Sequence, residues 1–394
     1  MALHFDFIVI GKGLVGSATA KYLARSGHTV ALIGPDEPEV LSLGEAFASH
    51  YDSSRVQRQM GRNMATTALN RLALNEYPQL QKDSGIRFHN PAGCLYVNST
   101  GMDAYLETYR ANDASAGNCT FFESSIELSE TFPYFRFSEG SSGMLEASPS
   151  GFINPRDLIK AQLRVVEKHS GIFIRKIVKS ISHASQMVHI MTADSEIYAC
   201  GKVIIATGAF TNLFPLLKYK LALTLKSETI LLARLENNVH DLYAMPALLY
   251  EVDTFDYEGI YLTPPTKYPN GRTYLKMGCN LANDIYFDDN IKDVQAWFRG
   301  QDHRRNLRIL KQVLRTILPG LSWINTQSKP CILTRTAGHG NPYIDILDDR
   351  LIVAIGNGYS AMCSDGIGYV AAQLAVQGCY PPGFEGKDYQ LHLS

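Results

Sequence analysis

The sequence predicts a mixed α/β protein in which three separate stretches of the chain build one nucleotide-binding domain. An apolar strand over 5–10 leads directly into the turn G-K-G-L-V-G and a helix over 17–26. A second apolar strand, over 202–209, ends in the turn A-T-G-A. Near the C-terminus, a strand over 351–355 precedes a glycine-rich loop and a helix over 367–376. Strands that alternate with glycine turns and helices are typical of a parallel sheet covered by helices.

The N-terminal turn has the G-x-G-x-x-G pattern that binds the pyrophosphate of a dinucleotide. Gly11 allows the tight turn, Gly13 lets the backbone approach the pyrophosphate, and Gly16 lets the helix lie against the strand. The positive end of the helix dipole favours the negative charge of the ligand. Because the flanking strand and helix are both present, we interpret the motif as a dinucleotide site rather than as a plain glycine turn.

The second strand, predicted over 29–33, departs from the usual dinucleotide pattern. In such folds this strand ends in an acidic residue that binds the ribose hydroxyls. Here Gly34 and Pro35 follow the strand, and the acid Asp36 comes after them. Asp36 is therefore either the ribose ligand or a solvated loop charge.

Composition and charge predict a soluble, cytoplasmic protein with no nucleic-acid or membrane partner. The 394 residues carry a formal net charge of −1, with 45% hydrophobic and 19% charged residues, which is ordinary for globular proteins. None of the seven cysteines forms a C-x-x-C pair, so the pattern favours neither a disulfide scaffold nor a zinc site. No apolar run approaches the roughly 20 residues of a membrane helix, and the early first strand leaves no room for a signal peptide. A monomer or a small homo-oligomer is expected.

The remaining elements are predicted from apolar periodicity. We expect helices over 63–80, 103–115 and 157–169, and strands over 93–98, 171–182 and 187–192. The stretches 41–61 and 118–150 are expected to be irregular, and 223–327 to be rich in strands. The division that follows assigns 1–88, 151–222 and 328–394 to a discontinuous nucleotide-binding domain, and 89–150 and 223–327 to an antiparallel-sheet substrate domain.

The A-T-G turn decides between two cofactor classes. Dehydrogenases that use only a nicotinamide do not typically need this second glycine element. Flavoproteins of the glutathione-reductase-like class have this layout, with the A-T-G turn near the FAD. We therefore predict a glutathione-reductase-like Rossmann domain that binds FAD.

Six further motifs follow one another in order along the chain. They are S-H-Y-D-S-S-R-V-Q-R at 49–58, G-F-I-N-P at 151–155, G-A-F at 208–210, L-K-M-G at 275–278, C-I-L-T-R-T at 331–336 and Y-I-D at 343–345. Together they resemble the amine-oxidising flavoproteins of the D-amino-acid oxidase superfamily, in particular the monomeric sarcosine oxidase, N-methyltryptophan oxidase and pipecolate oxidase group.

The resemblance implies roles for the matching residues. Lys276 would lie over the flavin and activate O₂, Arg55 would place positive charge beside the flavin, and Arg58 would bind a substrate carboxylate. Cys331 would carry the FAD through an 8α-thioether, but not every relative attaches its flavin, so both covalent and non-covalent FAD stay open. The expected FAD contacts are Gly11, Gly13, Leu14, Val15, Gly16, Asp36, Ser49, Ser54, Arg55, Val178, Thr207, Gly208, Cys331, Gly356, Gly358, Tyr359 and Ser360.

Five positions on the substrate side differ from those of the sarcosine oxidases. Tyr51 and Asn280 replace histidines and are kept as catalytic candidates. Leu262 and Leu333 replace tyrosines, and Met362 replaces a carboxylate-binding lysine. These changes imply a pocket that is in places more apolar. They favour a larger or differently charged secondary amine or amino acid over sarcosine itself.

The resemblance implies oxidation of a C–N bond to an imine, with O₂ reduced to hydrogen peroxide. One alternative is a dehydrogenase of the same fold that oxidises an amino acid or a 2-hydroxy acid and uses another electron acceptor. Another is a tailoring flavoprotein whose substrate is bound or tethered to a carrier. Peroxide production with O₂ as sole acceptor would separate the first two.

Overall fold

The computed structural model describes residues 4–40, 43–112, 118–184, 186–236 and 240–394. The α-helices of these residues are α1 (Leu14–Arg25), α2 (Met64–Ser84), α3 (Ala104–Asn112), α4 (Ser125–Thr131), α5 (Pro155–Lys168), α6 (Ile291–Arg299), α7 (Leu307–Ile317) and α8 (Ser364–Gln377). The strands are β1 (His4–Ile10), β2 (Val30–Ile33), β3 (Arg55–Gln57), β4 (His89–Asn90), β5 (Cys94–Asn98), β6 (Cys119–Phe122), β7 (Ser142–Glu146), β8 (Gly151–Ile153), β9 (Ile172–Ile174), β10 (Val178–Ala184), β11 (Met187–Thr192), β12 (Ile197–Ile205), β13 (Leu223–Arg234), β14 (Ala247–Asp253), β15 (Tyr257–Lys267), β16 (Thr273–Leu281), β17 (Tyr286–Phe287), β18 (Asn325–Thr336), β19 (Tyr343–Asp348) and β20 (Leu351–Ile355).

The first sheet has the strand order β10-β11-β12-β1-β2-β9, with β20 beside β12 and β19 beside β20. The pairs β12–β1, β1–β2, β2–β9 and β12–β20 are parallel. Val9 and Ile204 pack against Leu23 of α1 and Ile367 of α8 in one apolar cluster. Because both faces of these strands are covered, they are apolar at nearly every position. This confirms the predicted α/β fold with three converging glycine elements.

The second sheet has the order β17-β13-β16-β15-β14-β5-β7-β6, with β18 paired along β13. Its pairs are antiparallel except β5–β14. Successive side chains of a strand point to opposite faces, and one face is a core that contains Leu275, Met277 and, from α7, Leu310 and Leu314. The alternate positions of β16, among them Lys276, point to the other face. A third, small sheet has the order β3-β8-β4.

The structure corrects three sequence-based expectations. Residues 118–150, expected to be irregular, contain β6, α4 and β7, because elements this short carry little periodic signal. Residues 328–336, expected in the nucleotide-binding domain, belong to β18 and pair with β13 of the second sheet. The strand expected over 171–182 is two strands, of which β9 joins β2 and β10 joins β11. The helix over 103–115 ends at residue 112, and 113–115 lie outside the described residues.

Across the described ranges, no helix combines the length and the apolar character that a bilayer crossing requires.

Candidate active site

A cavity of about 520 Å³ is lined by all three glycine elements of the first sheet and by one face of the second sheet. The first sheet contributes the turn at 11–15, the turn at 206–209 and the loop at 356–362. The second sheet contributes residues of β13, β14, β15, β16 and β18. Ligand cavities of this size are common between structural layers, where side chains from several elements converge.

The glycines of the first turn have two different duties. Gly11 has φ 108°, and a Cβ there would lie 2.3 Å from the carbonyl oxygen of Ala206. A Cβ on Gly16 would lie 1.8 Å from the carbonyl oxygen of Gly11. Both glycines are therefore required by the fold. Gly13, in contrast, has no heavy atom within 4 Å of a Cβ position, so it leaves open space at the N-terminus of α1.

The residues around this open space fit the pyrophosphate of a dinucleotide. Gly13 is the N-cap of α1, and no side chain caps the helix there, so the first-turn N–H groups point toward the space with the positive end of the dipole. His50 also lines the cavity, and its buried Nδ1 has no hydrogen-bond partner among the described residues. Burial and the nearby cations Arg156 and Lys12 lower the pKa of His50 to about 3. The surroundings are thus arranged for an anion.

Replacing Gly13 with alanine should therefore weaken FAD binding and leave the fold intact. The added methyl group has room in the protein but occupies the space next to the helix N-terminus, so we expect about a 10-fold or greater loss of FAD affinity. The measurement is FAD titration of the apoprotein together with its thermal midpoint. Gly320→Ala is the control, because its Cβ position is also open and Gly320 does not line the cavity. Equal FAD affinity in both variants would contradict the assignment.

Asp52 is the centre of a buried charged cluster at the same cavity. Its carboxylate accepts hydrogen bonds from the Ser53 amide at 2.8 Å and the Tyr268 hydroxyl at 2.7 Å. It also pairs with Arg55, and its Oδ2 lies 2.8 Å from Nζ of Lys276. Asp52 and Lys276 are 2% and 1% exposed. One carboxylate therefore holds two cations, and the cluster keeps an excess of positive charge.

Backbone carbonyls complete the cluster. Lys276 donates a hydrogen bond to the Ser54 carbonyl oxygen at 2.8 Å. Arg55 donates to the same oxygen at 3.0 Å and to the Ser49 carbonyl oxygen at 2.7 Å. Ser54 therefore contributes through its backbone: it is fully buried, and its side chain does not line the cavity.

The cluster shifts the titration of its members. Burial and then the charge of Arg55 lower the pKa of Lys276 to about 8, although Asp52 opposes the change. Burial alone would raise the pKa of Asp52, but Lys276, Arg55 and Lys329 outweigh it and hold that pKa well below its usual value. Asp52 is therefore ionised at neutral pH, and Lys276 is close to its own titration point.

Most of the predicted site residues line this cavity. They are Gly11, Gly13, Leu14, Val15, Ser49, Tyr51, Arg55, Val178, Thr207, Gly208, Lys276, Asn280, Cys331, Gly356, Gly358, Tyr359 and Ser360. Four predicted residues do not: Gly16, Asp36, Ser54 and Arg58. Gly16 acts in the contact between helix and strand, as its sequence position predicted.

Asp36 is not placed to bind a ribose in the cavity. Its side chain is 57% exposed, and its carboxylate is held by Lys12 and by Nε of Arg175 at 2.9 Å. These two cations account for its position outside the lining. The neighbouring Glu37 lines the cavity instead and pairs with Arg156.

Arg58 points into a smaller cavity of about 220 Å³. It is 4% exposed, and Nη1 donates to the Tyr105 hydroxyl at 2.6 Å. Its buried Nε has no partner in the described part of the chain. Asn357, Tyr359 and Met362 line both cavities. The structure therefore separates Arg58 from Arg55 and Lys276, which three-residue spacing in one motif did not reveal.

Leu262 is not a pocket residue. It is fully buried in the core with Met277, on the face of the second sheet opposite Lys276. The preceding residue, Tyr261, lines the cavity, and its hydroxyl donates to the Glu228 carboxylate. A shift of one residue in a strand reverses the face, so the sequence comparison selected the wrong neighbour. Leu333 and Met362 do line the cavity.

Sequence reasoning assigned no role to Asp52, Tyr261 or Glu228. Asp52 lies inside the motif at 49–58, where its position between His50 and the arginines was a usable signal. Tyr261 and Glu228 gave none, because they lie in strands whose pairing was not predicted.

A chamber built on a pyrophosphate cradle and closed by an antiparallel sheet places this chain among the nucleotide-binding oxidoreductases with a two-sheet architecture. The sequence comparison narrows the class: the chain belongs to the DAO family of FAD-dependent oxidoreductases, whose family model matches residues 6–374. FAD is therefore its cofactor.

Several characterised enzymes are similar over nearly the whole chain. The monomeric sarcosine oxidase of Bacillus sp. (strain NS-129) is 25% identical, over 96% of this chain and 94% of that enzyme. The peroxisomal sarcosine oxidase of Mus musculus is 24% identical, over 99% and 97%. The N-methyl-L-tryptophan oxidase of Yersinia pestis (strain Pestoides F) is 25% identical over 53% of this chain and 55% of that enzyme.

Solved structures show the same fold at lower identity. NikD, an unusual amino acid oxidase essential for nikkomycin biosynthesis, superposes with a TM-score of 0.79 at 18% identity, over 99% of this chain and 98% of that chain. Glycine oxidase from Geobacillus kaustophilus superposes with a TM-score of 0.71 at 17% identity, over 98% of both chains.

Proposed function

We propose that this protein oxidises a C–N bond of a secondary amine or amino acid and uses O₂ as electron acceptor. The observation that carries the proposal is the buried Lys276 ammonium, held in the cofactor cavity by Asp52. The full-length similarity to sarcosine oxidases supports the amine as substrate. When bound, FAD accepts two electrons from the C–N bond and passes them to O₂, which gives an imine and hydrogen peroxide.

Lys276 would supply the electrostatic part of the oxygen reaction. Transfer of the first electron to O₂ creates an anion, and a fixed ammonium in a low-dielectric cavity stabilises that charge selectively. Asp52 and the Ser54 carbonyl oxygen hold the ammonium in place. Arg55 keeps the local charge positive although Asp52 is ionised. No side chain needs to act as a general base if the substrate amine enters in its neutral form.

We also propose that the first sheet binds FAD and that the second sheet forms the substrate side, with the boundary after β18 rather than before it. A substrate carboxylate would reach Arg58 past Asn357, Tyr359 and Met362, which line both cavities. This arrangement agrees with a substrate larger than sarcosine.

An anaerobic screen of secondary amines and of D- and L-amino acids tests the proposal. The expected result is bleaching of the flavin absorbance by at least one amine, followed by stoichiometric hydrogen peroxide when O₂ is added. Bleaching without peroxide would favour a dehydrogenase with another acceptor. A flavin that no free amine or amino acid bleaches would overturn the proposal.

Covalent attachment of FAD through Cys331 has a direct test. Cys331 lines the cavity; burial raises the pKa of its thiol, and Arg55 opposes that shift. We predict that acid precipitation gives a yellow pellet for the native protein and a yellow supernatant for Cys331→Ser, because only the thiolate can form the thioether. Cys363→Ser is the control, since that buried cysteine is outside the cavity lining. A white pellet from the native protein would exclude the bond.

A further inference from the structure

A buried carboxylate on the substrate side of the cavity has no cationic partner. Glu228 lies in β13, is 8% exposed and lines the cavity. Its Oε1 accepts a hydrogen bond from the Tyr261 hydroxyl. Within the described part of the chain, Oε2 accepts no hydrogen bond, and no Lys, Arg or His lies within ion-pair distance. A buried carboxylate is costly without a compensating positive charge.

The nearest cations are all directed elsewhere. Lys226, two residues earlier on the same strand, places Nζ 2.7 Å from Oδ1 of Asn280 and 2.6 Å from Oδ2 of Asp284. Lys276 and Arg55 are both held by Asp52. The protein therefore has cations near Glu228 but fixes each one against a different acceptor.

Tyr261 is held across the sheet to reach this carboxylate. Gly278 pairs with Tyr261 in the neighbouring strand β16, and a Cβ on Gly278 would lie 2.4 Å from the Tyr261 hydroxyl oxygen. The absence of a side chain at 278 lets the tyrosine lie over the strand and donate to Glu228. Because its only proton is used there, the hydroxyl oxygen is left as an acceptor.

A second carboxylate strengthens the negative potential at this end of the cavity. Glu251 of β14 also lines the cavity. Its Oε2 and Nδ2 of Asn280 would each lie 3.6 Å from a Cβ on Gly259, so the two side chains approach the same small space. The residues that surround this space are carboxylates, a tyrosine and an amide, a donor set that is typical of ammonium recognition.

We propose that Glu228, together with Tyr261 and Asn280, forms a subsite for a second, cationic nitrogen of the substrate, so that the enzyme selects a diamine or a basic amino acid. The inference rests on the proposed amine oxidation and names its substrate class. The reacting nitrogen enters neutral, and the distant ammonium is the group that Glu228 binds. Glu228 is thus a specificity-determining residue, separate from the Lys276 cluster.

A matched pair of amines tests the subsite. N-methylpentane-1,5-diamine and N-methylpentan-1-amine differ in one terminal ammonium group. Binding to the oxidised holoenzyme is measured by anaerobic calorimetry at neutral pH, and reduction by the rate of flavin bleaching. We expect the diamine to bind about 10-fold or more tightly than the monoamine. Glu228→Gln should reduce this preference to less than about 2-fold without changing monoamine affinity.

Glu258→Gln is the matched control, because it removes the same charge from the adjacent strand β15 at an exposed position outside the cavity lining. It should retain the full preference for the diamine. Equal binding of the two amines by the native enzyme, or equal weakening of both by Glu228→Gln, would overturn the subsite. If the binding preference holds but neither these amines nor any in the wider screen bleaches the flavin, the proposed oxidation fails and the cation subsite stands.

Discussion

Replacement of Lys276 with methionine should slow the reaction of the reduced enzyme with O₂ by about 100-fold or more, equivalent to ~2.7 kcal/mol of barrier. Methionine fills nearly the same volume without the charge, so the anion that forms on O₂ loses its fixed counter-charge. Anaerobic reduction by substrate should stay near the native rate, because Lys276 acts on the other half-reaction. Rapid mixing of reduced enzyme with O₂, and of oxidised enzyme with substrate, measures the two rates separately.

The pH dependence provides a second measurement for Lys276. The ammonium form is lost as pH rises through a pKa of about 8, so the native rate with O₂ should fall above that pH. The methionine variant should show no such step. Lys202→Met is the control, since Lys202 of β12 donates to the Ala375 carbonyl oxygen and does not line the cavity. Unchanged oxygen reactivity in Lys276→Met would remove this residue from the mechanism.

Replacement of Asp52 with asparagine should destabilise the protein by about 3–5 kcal/mol. The substitution keeps the shape of the side chain but leaves Lys276 and Arg55 buried without their counter-charge. An exposed ion pair is worth far less: Glu123→Gln, which breaks the contact with Arg110 at a half-exposed position, should cost about 0–1 kcal/mol. Urea unfolding of the two variants and the native protein measures the difference.

The sign of the acid dependence follows from the direction of the pKa shift. Folding lowers the pKa of Asp52 below its ordinary value of 3.8, so the unfolded chain binds the proton more tightly. The stabilisation is present at neutral pH and is lost as pH falls below about 4. The asparagine variant should show a flatter acid limb than the native protein. Equal losses of stability in Asp52→Asn and Glu123→Gln would show that the cluster carries no special energy.

The nucleotide-binding half of the fold was accessible from local sequence. Gly11 and Gly16 are required by contacts within one strand, one turn and one helix, and the A-T-G turn ends a strand that is apolar throughout. Such patterns reflect interactions between residues close in the chain, so periodicity and glycine spacing are enough to detect them. The seventeen predicted residues that line the cavity come mainly from these elements and from the resemblance.

The substrate side was less accessible, because it depends on which strands pair and in what register. The exchange of Leu262 for Tyr261 is a shift of one position, which in a strand moves a side chain from the cavity to the core. The separation of Arg58 from Arg55 has a similar origin: both lie in one short motif, but β3 ends at Gln57 and the two side chains enter different cavities.

Local sequence alone specified where a dinucleotide binds and which residue types accompany it, because those contacts are made within short stretches of chain. The position of every charge in the cavity depended on contacts between residues far apart in the sequence. Asp52 meets Lys276 across 224 intervening positions, and Glu228 meets Tyr261 only because Gly278 leaves the space between their strands open. Electrostatic energy depends on distance in three dimensions, so the pairing of these charges, and with it the chemistry of the chamber, was decided by the packing of the second sheet against the first.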